Sequence, residues 1–242
     1  MKFLKAPRDA LIQPLQIVCG MVERRSTLPV LSSVLVSTAG NELSFRSTDL
    51  ELDLRATETI ESGASSTSLT VNARKLLDVV RAMPDAPISL SSSGNRLIIQ
   101  GPGSRISLHA GRAEDFPQIR QSSEPELSLS VNAGSLKRLL HMVHFAMGDN
   151  DIRYFLNGAL LITGGELTAV ATDGHRLATA HIASQSEHES REIIVPRKAI
   201  MELIRLLPED GSTVLLTTAS GYASFAFGKV FLHLQADCGP VS

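Results

Sequence analysis

The stretch PRKAIMELIRLLPED, residues 196–210, repeats the pattern of an earlier stretch whose Arg-Lys pair lies 123 residues before its own, and this repeat decides the fold. The earlier stretch is NARKLLDVVRAMPDA, residues 72–86, and both run in one order: Arg-Lys, an apolar stripe at helical spacing, an acid, Arg, Pro, an acid. Two further pairs keep nearly the same offset, TDL at 48–50 with TDG at 172–174 and LIQPLQIV at 11–18 with LKRLLHMV at 136–143. Three matches in one order predict a tandem duplication. Coincidence between two amphipathic helices is the weaker alternative.

Each copy has the pattern helix, strands, helix, strands. Apolar spacing predicts helices over 8–24, 73–82, 133–147 and 197–207, and short alternating segments between them predict strands. Each copy is then a pair of βαβββ halves, an α+β fold with antiparallel sheets and helices packed on one face. The polar stretch IRQSSEPELS, residues 119–128, separates the copies, so we expect domains at 1–122 and 128–242.

Composition excludes several classes of protein. The chain has 242 residues, 43% hydrophobic and 20% charged, which is typical of a soluble globular protein. No apolar run approaches the roughly 18 residues of a membrane span, and Pro7, Arg8 and Asp9 interrupt the start before a signal peptide could form. Cys19 and Cys238 have neither disulfide-framework nor metal-site spacing, which favours reduced thiols in the cytoplasm.

The charge is sorted between elements. The net charge of the chain is −2, yet each of the four helical segments, counted over 5–25, 73–82, 133–147 and 197–207, has a net charge of +2. The rest of the chain therefore carries −10. If the four helices share one face, that face neutralises phosphates and binds duplex DNA independently of sequence. The alternative is that Lys and Arg simply decorate solvated helix faces.

Eight segments, in order along nearly the whole chain, carry a family resemblance. They are MKF at 1–3, LPVL at 28–31, TDLEL at 48–52, VNARKLLD at 71–78, EDFP at 114–117, RYFLNGALL at 153–161, VATDGHRLA at 170–178 and IIVPRKAI at 193–200. With them the chain resembles the beta subunit of bacterial DNA polymerase III, the sliding clamp.

The resemblance implies a DNA clamp fold, in which helices line the hole of a six-domain ring and sheets lie outside. It implies a non-catalytic processivity subunit that encircles double-stranded DNA. The implied partners are the clamp loader, the polymerase III alpha subunit and other polymerases, and a second copy, since the family forms a dimer. The family has three such domains per chain and this sequence matches the first two, so a ring, a partial ring and a monomer all remain open.

The resemblance also implies site residues. Thr172, Gly174, His175, Arg176, Leu177 and Leu156 match one half of the pocket for partner peptides, although TDG is also a common hairpin turn. Ile106 and Leu108 match the subunit-interface strand. The residues expected to face DNA are Arg25, Asn150, Tyr154 and Phe155 on loops and Lys75, Lys137, Arg138, Arg197 and Lys198 on helices; the family has Tyr at the position of Phe155.

Two other classes of function are weighed against the clamp. A hydrolase could use Asp173 and His175, but the sequence contains no GxSxG, P-loop or HExxH motif and no evident nucleophile. His141 and His144 share a helical face without a third ligand, so we expect no metal and no cofactor. A monomeric peptide-binding adaptor that does not tether DNA is the other alternative.

Overall fold

The polypeptide divides into two compact units, residues 1–119 and 120–242. The computed structural model describes residues 2–22, 28–119, 125–184, 190–219 and 221–240. Strands that pair within a unit are antiparallel throughout the described residues.

The first unit begins with β1 (Lys2–Ala6) and α1 (Arg8–Met21). Two long strands follow, β2 (Ser33–Thr48) and β3 (Leu52–Asn72), which pair with one another along most of their length. The unit closes with α2 (Ala73–Ala82), β4 (Ile88–Ser93), β5 (Arg96–Gly101) and β6 (Ser104–Arg112). The strand order is β1-β4-β5-β6-β3, with β2 on β3.

The second unit has a related order with shorter and more numerous strands among the described residues. Its first half comprises β7 (Leu127–Asn132), α3 (Ala133–Val143), β8 (Gly158–Ile162), β9 (Glu166–Thr172) and β10 (Leu177–Ala183). Its second half comprises β11 (Arg191–Pro196), α4 (Arg197–Leu206), β12 (Thr213–Ala219), β13 (Tyr222–Phe227) and β14 (Val230–Gln235), followed by β15 (Asp237–Pro240). The sheets run β14-β13-β12-β7 and β10-β9-β8-β11-β15. Both halves of the second unit are βαβββ units, as the sequence predicts, whereas in the first unit β3 runs unbroken from Leu52 to Asn72 and the first half has one strand fewer.

The helices fold where caps and apolar spacing favour them. The side chains of Asn72 and Asn132 accept hydrogen bonds from the backbone N–H groups of Lys75 (3.0 Å) and Ser135 (2.9 Å), so α2 and α3 begin with the same N-cap. The apolar stripe of each helix is fully buried, including Leu15 of α1 and Leu140 of α3. Each such burial contributes about 1.5–3 kcal/mol of transfer free energy, which holds the helices on their sheets.

Several predicted element boundaries were wrong. The helix predicted over 133–147 is α-helical only to Val143 and continues as a 3-10 turn, His144–Ala146. The alternation in LPVLSSVLVSTAG predicts a strand over 28–40 that ends in a turn, but a 3-10 turn occupies Pro29–Ser32 and β2 then runs through Gly40 to Thr48. Gly40 adopts a positive φ of 57°, and register shifts on both sides of it let β2 continue through an irregular region that sequence reading takes for a turn.

Candidate partner-binding turn and DNA-facing surfaces

The turn that follows β9 is stabilised by hydrogen bonds from its own side chains. Thr172 Oγ1 donates to the backbone carbonyl of Arg176 at 2.7 Å and accepts from the N–H of Gly174 at 3.1 Å. The Asp173 carboxylate accepts from the backbone N–H groups of His175 (2.9 Å) and Arg176 (3.0 Å) and from the Nε–H of Arg176 (2.9 Å). The two backbone N–H donors, His175 first, lower the pKa of Asp173. The Asp173 carboxylate is thus used in hydrogen bonds within the turn, which argues against the hydrolase alternative, in which Asp173 would act as an acid or base.

The first unit contains the same turn in a closed form. Thr48 Oγ1 donates to the carbonyl of Leu52 at 2.7 Å, and Asp49 accepts from the N–H groups of Glu51 and Leu52 at 3.0 and 2.7 Å. The side chains on both sides of this turn are buried, since Thr48 is 3% exposed and Leu52 only 1%, while Leu50 within the turn is 49% exposed.

Leu177 marks the difference between the two turns, because it is 66% exposed. Its counterpart in the first unit, Asp53, is buried in an ion pair with Arg46. At this position the turn of the second unit, here called the open turn, exposes an apolar side chain, whereas the closed turn of the first unit buries a charged one.

A loop between α3 and β8 adjoins the turn. The side chain of Asn157 accepts from the N–H of Asp151 and donates to its carbonyl, both at 2.8 Å, and the N–H of Gly148 donates to the carbonyl of Leu156 at 2.8 Å. Arg153 pairs with Asp151 through Nη2 at 2.8 Å, and this side-chain bond, more than any other contact, lowers the pKa of Asp151 to about 2. The loop is therefore fixed by hydrogen bonds at both ends.

The Arg153 guanidinium also lies against the turn. A Cβ added at Gly174 would stand 3.1 Å from Nη2 of Arg153, and Gly174 has a φ of 88°. The loop and the turn therefore form one surface. Arg153 is absent from the residues predicted for this site, because the contact joins segments 21 residues apart and no local motif signals it.

Large apolar side chains are exposed on this surface. Ile152 is 97% exposed, Tyr154 71% and Phe155 49%, whereas Leu156 is buried. Leu156, which the resemblance places in the peptide pocket, therefore lies beneath its exposed neighbours. Contiguous apolar exposure of this kind marks interaction sites.

The basic residues predicted to face DNA differ in environment. Lys75 on α2 and Arg138 on α3 are exposed, while Lys198 on α4 is half-buried. Lys137 forms an ion pair with Glu209, in which Nζ and Oε1 are 2.9 Å apart, and the Lys137 side chain is only 19% exposed. Nη1 of Arg197 donates to the carbonyl of Met147 at 3.4 Å. Arg25 lies outside the described residues, and Asn150 is exposed with a φ of 57°.

Ile106 and Leu108 both lie on β6, half-buried, opposite Ile99 and Leu97 of β5. Beside them is a groove of about 510 Å³. Its walls come from the 3-10 turn after α1, the end of β3, the start of α2 and β6; they include Pro29, Val30, Asn72, Lys75, Leu108 and His109. Of the two predicted interface residues, Leu108 thus borders an open groove of the first unit, and Ile106 lies two residues away on the same strand.

Among the described residues, no group of three or more His, Cys, Asp or Glu side chains is arranged to hold a metal ion. No helix in the described ranges is long and apolar enough to cross a membrane.

Comparison with known families matches both units. Residues 1–120 match the N-terminal domain of the DNA polymerase III beta subunit, and residues 130–235 match its central domain. The chain belongs to the DNA polymerase III beta subunit family. The two family domains coincide with the two units of the structure, in the same order, and the first overruns its unit by one residue.

Individual relatives agree with this assignment. The chain is 43% identical to a beta sliding clamp of Pseudomonas aeruginosa over 210 residues, 86% of this chain and 57% of that protein. It is 38% identical to the beta sliding clamp of Escherichia coli over 209 residues, with the same two coverages. The chain thus spans about three fifths of the length of its curated relatives.

Solved structures match the fold. A crystal structure of the DNA polymerase III subunit beta from P. aeruginosa aligns with a TM-score of 0.94 and 38% identity, over 98% of this chain and 65% of that one. A P. aeruginosa clamp bound to griselimycin aligns with a TM-score of 0.92 and 38% identity, over 97% and 64%. The predicted α+β clamp fold is confirmed.

Proposed function

We propose that the chain forms part of a DNA sliding clamp that raises the processivity of a replicative polymerase without catalysing a reaction itself. The observation that carries the proposal is the match of both units, in order, to the first two domains of the clamp family. Units 1 and 2 are then the first and second clamp domains, near 1–122 and 128–242. A clamp acts by tethering, which raises the local concentration of the polymerase at the primer.

The exposed cations on the helices support binding to duplex DNA. Lys75 and Arg138 occupy α2 and α3, one in each unit, and both are exposed. A cation that neutralises a phosphate releases a counterion, so binding weakens with salt and is independent of sequence. Arg197 and Lys137 make internal contacts first, so we assign them a smaller part. The proposal places the protein with chromosomal DNA in the cytoplasm.

The open turn of the second unit supports binding to partner peptides. Leu177 and Arg176 are exposed, beside the loop whose Arg153 contacts Gly174, which suits an apolar anchor flanked by hydrogen-bond acceptors. The proposed partners are the polymerase III alpha subunit, other polymerases and the clamp loader. Ile106 and Leu108 on β6, beside the groove of the first unit, are the proposed contact with a second copy.

The DNA contact is tested by the salt dependence of affinity. We expect the double variant Lys75→Ala, Arg138→Ala to lower the slope of log K against log salt by about 2, since each lost phosphate contact removes about 0.9. Lys229→Ala, in the turn between β13 and β14, is the matched control and should leave the slope unchanged. An unchanged slope in the double variant would contradict the assignment of these helices to DNA.

The exposed apolar turn also favours a second candidate, an adaptor that binds peptides without tethering DNA. Retention on nicked circular duplex, followed by linearisation, separates the two candidates. An encircling clamp stays on the circle at high salt and is lost when the circle is cut, whereas the adaptor is never retained. Light scattering supplies the assembly state, compared with the 26.0 kDa of one chain.

A further inference from the structure

Arg176, at the open turn, is held by two contacts rather than by burial. Its Nε–H donates to Asp173 Oδ2 at 2.9 Å, and its Cζ lies 5.9 Å from the centre of the Phe145 ring. A guanidinium within about 6 Å of an aromatic face is attracted to the ring. The Arg176 side chain nevertheless remains 57% exposed. These two contacts therefore fix the position of the Arg176 guanidinium while leaving it accessible to solvent.

Phe145 contributes little to the hydrophobic core. It lies in the 3-10 turn after α3, is 53% exposed, and meets the ring of His144 edge-on at 6.4 Å. Large apolar side chains left exposed in a group mark interaction surfaces. Here the ring has a specific neighbour, since Arg176 comes from a turn 31 residues later in the chain. The contact joins the end of α3 to the open turn.

We propose that Phe145 is a positioning residue for peptide recognition, holding the Arg176 guanidinium in place before a partner arrives. The inference rests on the proposed function of the turn. Asp173 occupies the Nε–H, which leaves the Nη–H donors for an acceptor on the ligand. The ligand class is an extended peptide with an apolar anchor on Leu177 and a carbonyl or carboxylate at Arg176.

Holding Arg176 in the free protein lowers the entropic cost of binding. A long side chain that must be immobilised on binding reduces affinity by about two- to tenfold. With the Asp173 hydrogen bond alone, the planar guanidinium can still pivot about the axis of that N–H···O bond. Contact with the Phe145 ring restricts this motion. Loss of the ring should therefore weaken ligand binding while leaving the turn, its hydrogen bonds and DNA affinity as they are.

The test uses the full chain and griselimycin, the ligand named for a P. aeruginosa clamp, as the probe. We expect Phe145→Leu to weaken griselimycin binding by about two- to tenfold and Phe145→Tyr, which keeps the ring, to restore it. Met142→Leu is the matched control, because Met142 is 55% exposed at the end of α3, just before the 3-10 turn that holds Phe145, and should have no effect. In an Arg176→Ala background, Phe145→Leu should cause no further loss.

A measurement without ligand tests the positioning directly. The ring current of Phe145 should displace the Nε–Hε and Hδ resonances of Arg176, and Phe145→Leu should return them to ordinary values. Arg153, which pairs with Asp151, serves as the internal control. Unchanged Arg176 resonances in Phe145→Leu would overturn the proposal.

The binding outcomes separate this inference from the function beneath it. Failure of the parent chain to bind griselimycin would count against the peptide pocket itself and so against both proposals. Binding by the parent that Phe145→Leu leaves unchanged would overturn the positioning role alone. An equal loss in the Arg176→Ala background would also overturn it, because Phe145 would then touch the ligand directly.

Discussion

Leu50 in the first unit and Gly174 in the second occupy the same left-handed backbone position of one repeated turn, with φ of 84° and 88°. The surrounding hydrogen bonds are equivalent, from Thr48 in one unit and Thr172 in the other. Leucine rarely adopts this conformation and glycine adopts it freely. The backbone of the open turn is therefore unstrained at Gly174, whereas the backbone of the closed turn is strained at Leu50.

We expect Gly174→Ala to destabilise the protein by about 1–2 kcal/mol, because the new Cβ is forced into the left-handed region. The Cβ would also displace the Arg153 guanidinium, a flexible group whose movement costs little. The measurement is the urea midpoint. Gly165→Ala is the control, since its Cβ would meet nothing within 4 Å. Equal effects of the two substitutions would argue against strain at 174.

The Asp151–Arg153 pair should make stability depend on pH in acid. The pKa of Asp151 is lowered from 3.8 to about 2, chiefly by the hydrogen bond from the Arg153 side chain. A lowered pKa contributes stability above the unfolded value, and that contribution is lost as pH falls from about 4 through about 2.

The check is the urea midpoint between pH 5 and pH 2 for the parent and for Asp151→Asn. The variant should lose part of the decline seen in the parent below about pH 4. Asp149→Asn removes a charge from the same loop and serves as the control. A variant whose curve parallels that of the parent would count against the pair as a source of the pH dependence.

The N-cap of α3 should be worth a measurable part of the second unit's stability. Asn132→Ala removes the acceptor for the Ser135 N–H and should cost about 1 kcal/mol, whereas Asn132→Ser keeps an acceptor and should retain most of the stability. Thermal unfolding of both variants provides the test. Equal stability of the two variants would show that the cap contributes little.

Phe155 should report on DNA contact. The ring is 49% exposed and lies edge-on to Tyr154, with centroids 5.8 Å apart. Phe155→Tyr adds a hydroxyl able to donate to phosphate, so we expect about two- to tenfold tighter duplex binding at fixed salt. Phe155→Leu is the control without a hydroxyl. A Tyr variant that binds no better than the parent would place residue 155 away from the phosphates.

Local patterns predicted the periodic elements well. The apolar spacing of NARKLLDVVRAMPDA predicts a helix over 73–82, and α2 spans Ala73–Ala82. Strands that run directly into helices were missed, as with β7, because LSLSVN is short and its last residue is already the cap of α3. Asn132 is both the last residue of β7 and the N-cap of α3. No turn residues therefore separate the strand from the helix in the sequence.

The sequence by itself determined the duplication, the α+β class, the family and which residue types stand at the open turn. These depend on periodicity, order and motif, which are properties of the chain. Only the tertiary structure decided that Leu177 is exposed while Asp53 is buried, and that Phe145 meets Arg176. Exposure and long-range contact depend on how strands and loops pack, and two turns with the same local hydrogen bonds therefore differ in what they offer a ligand.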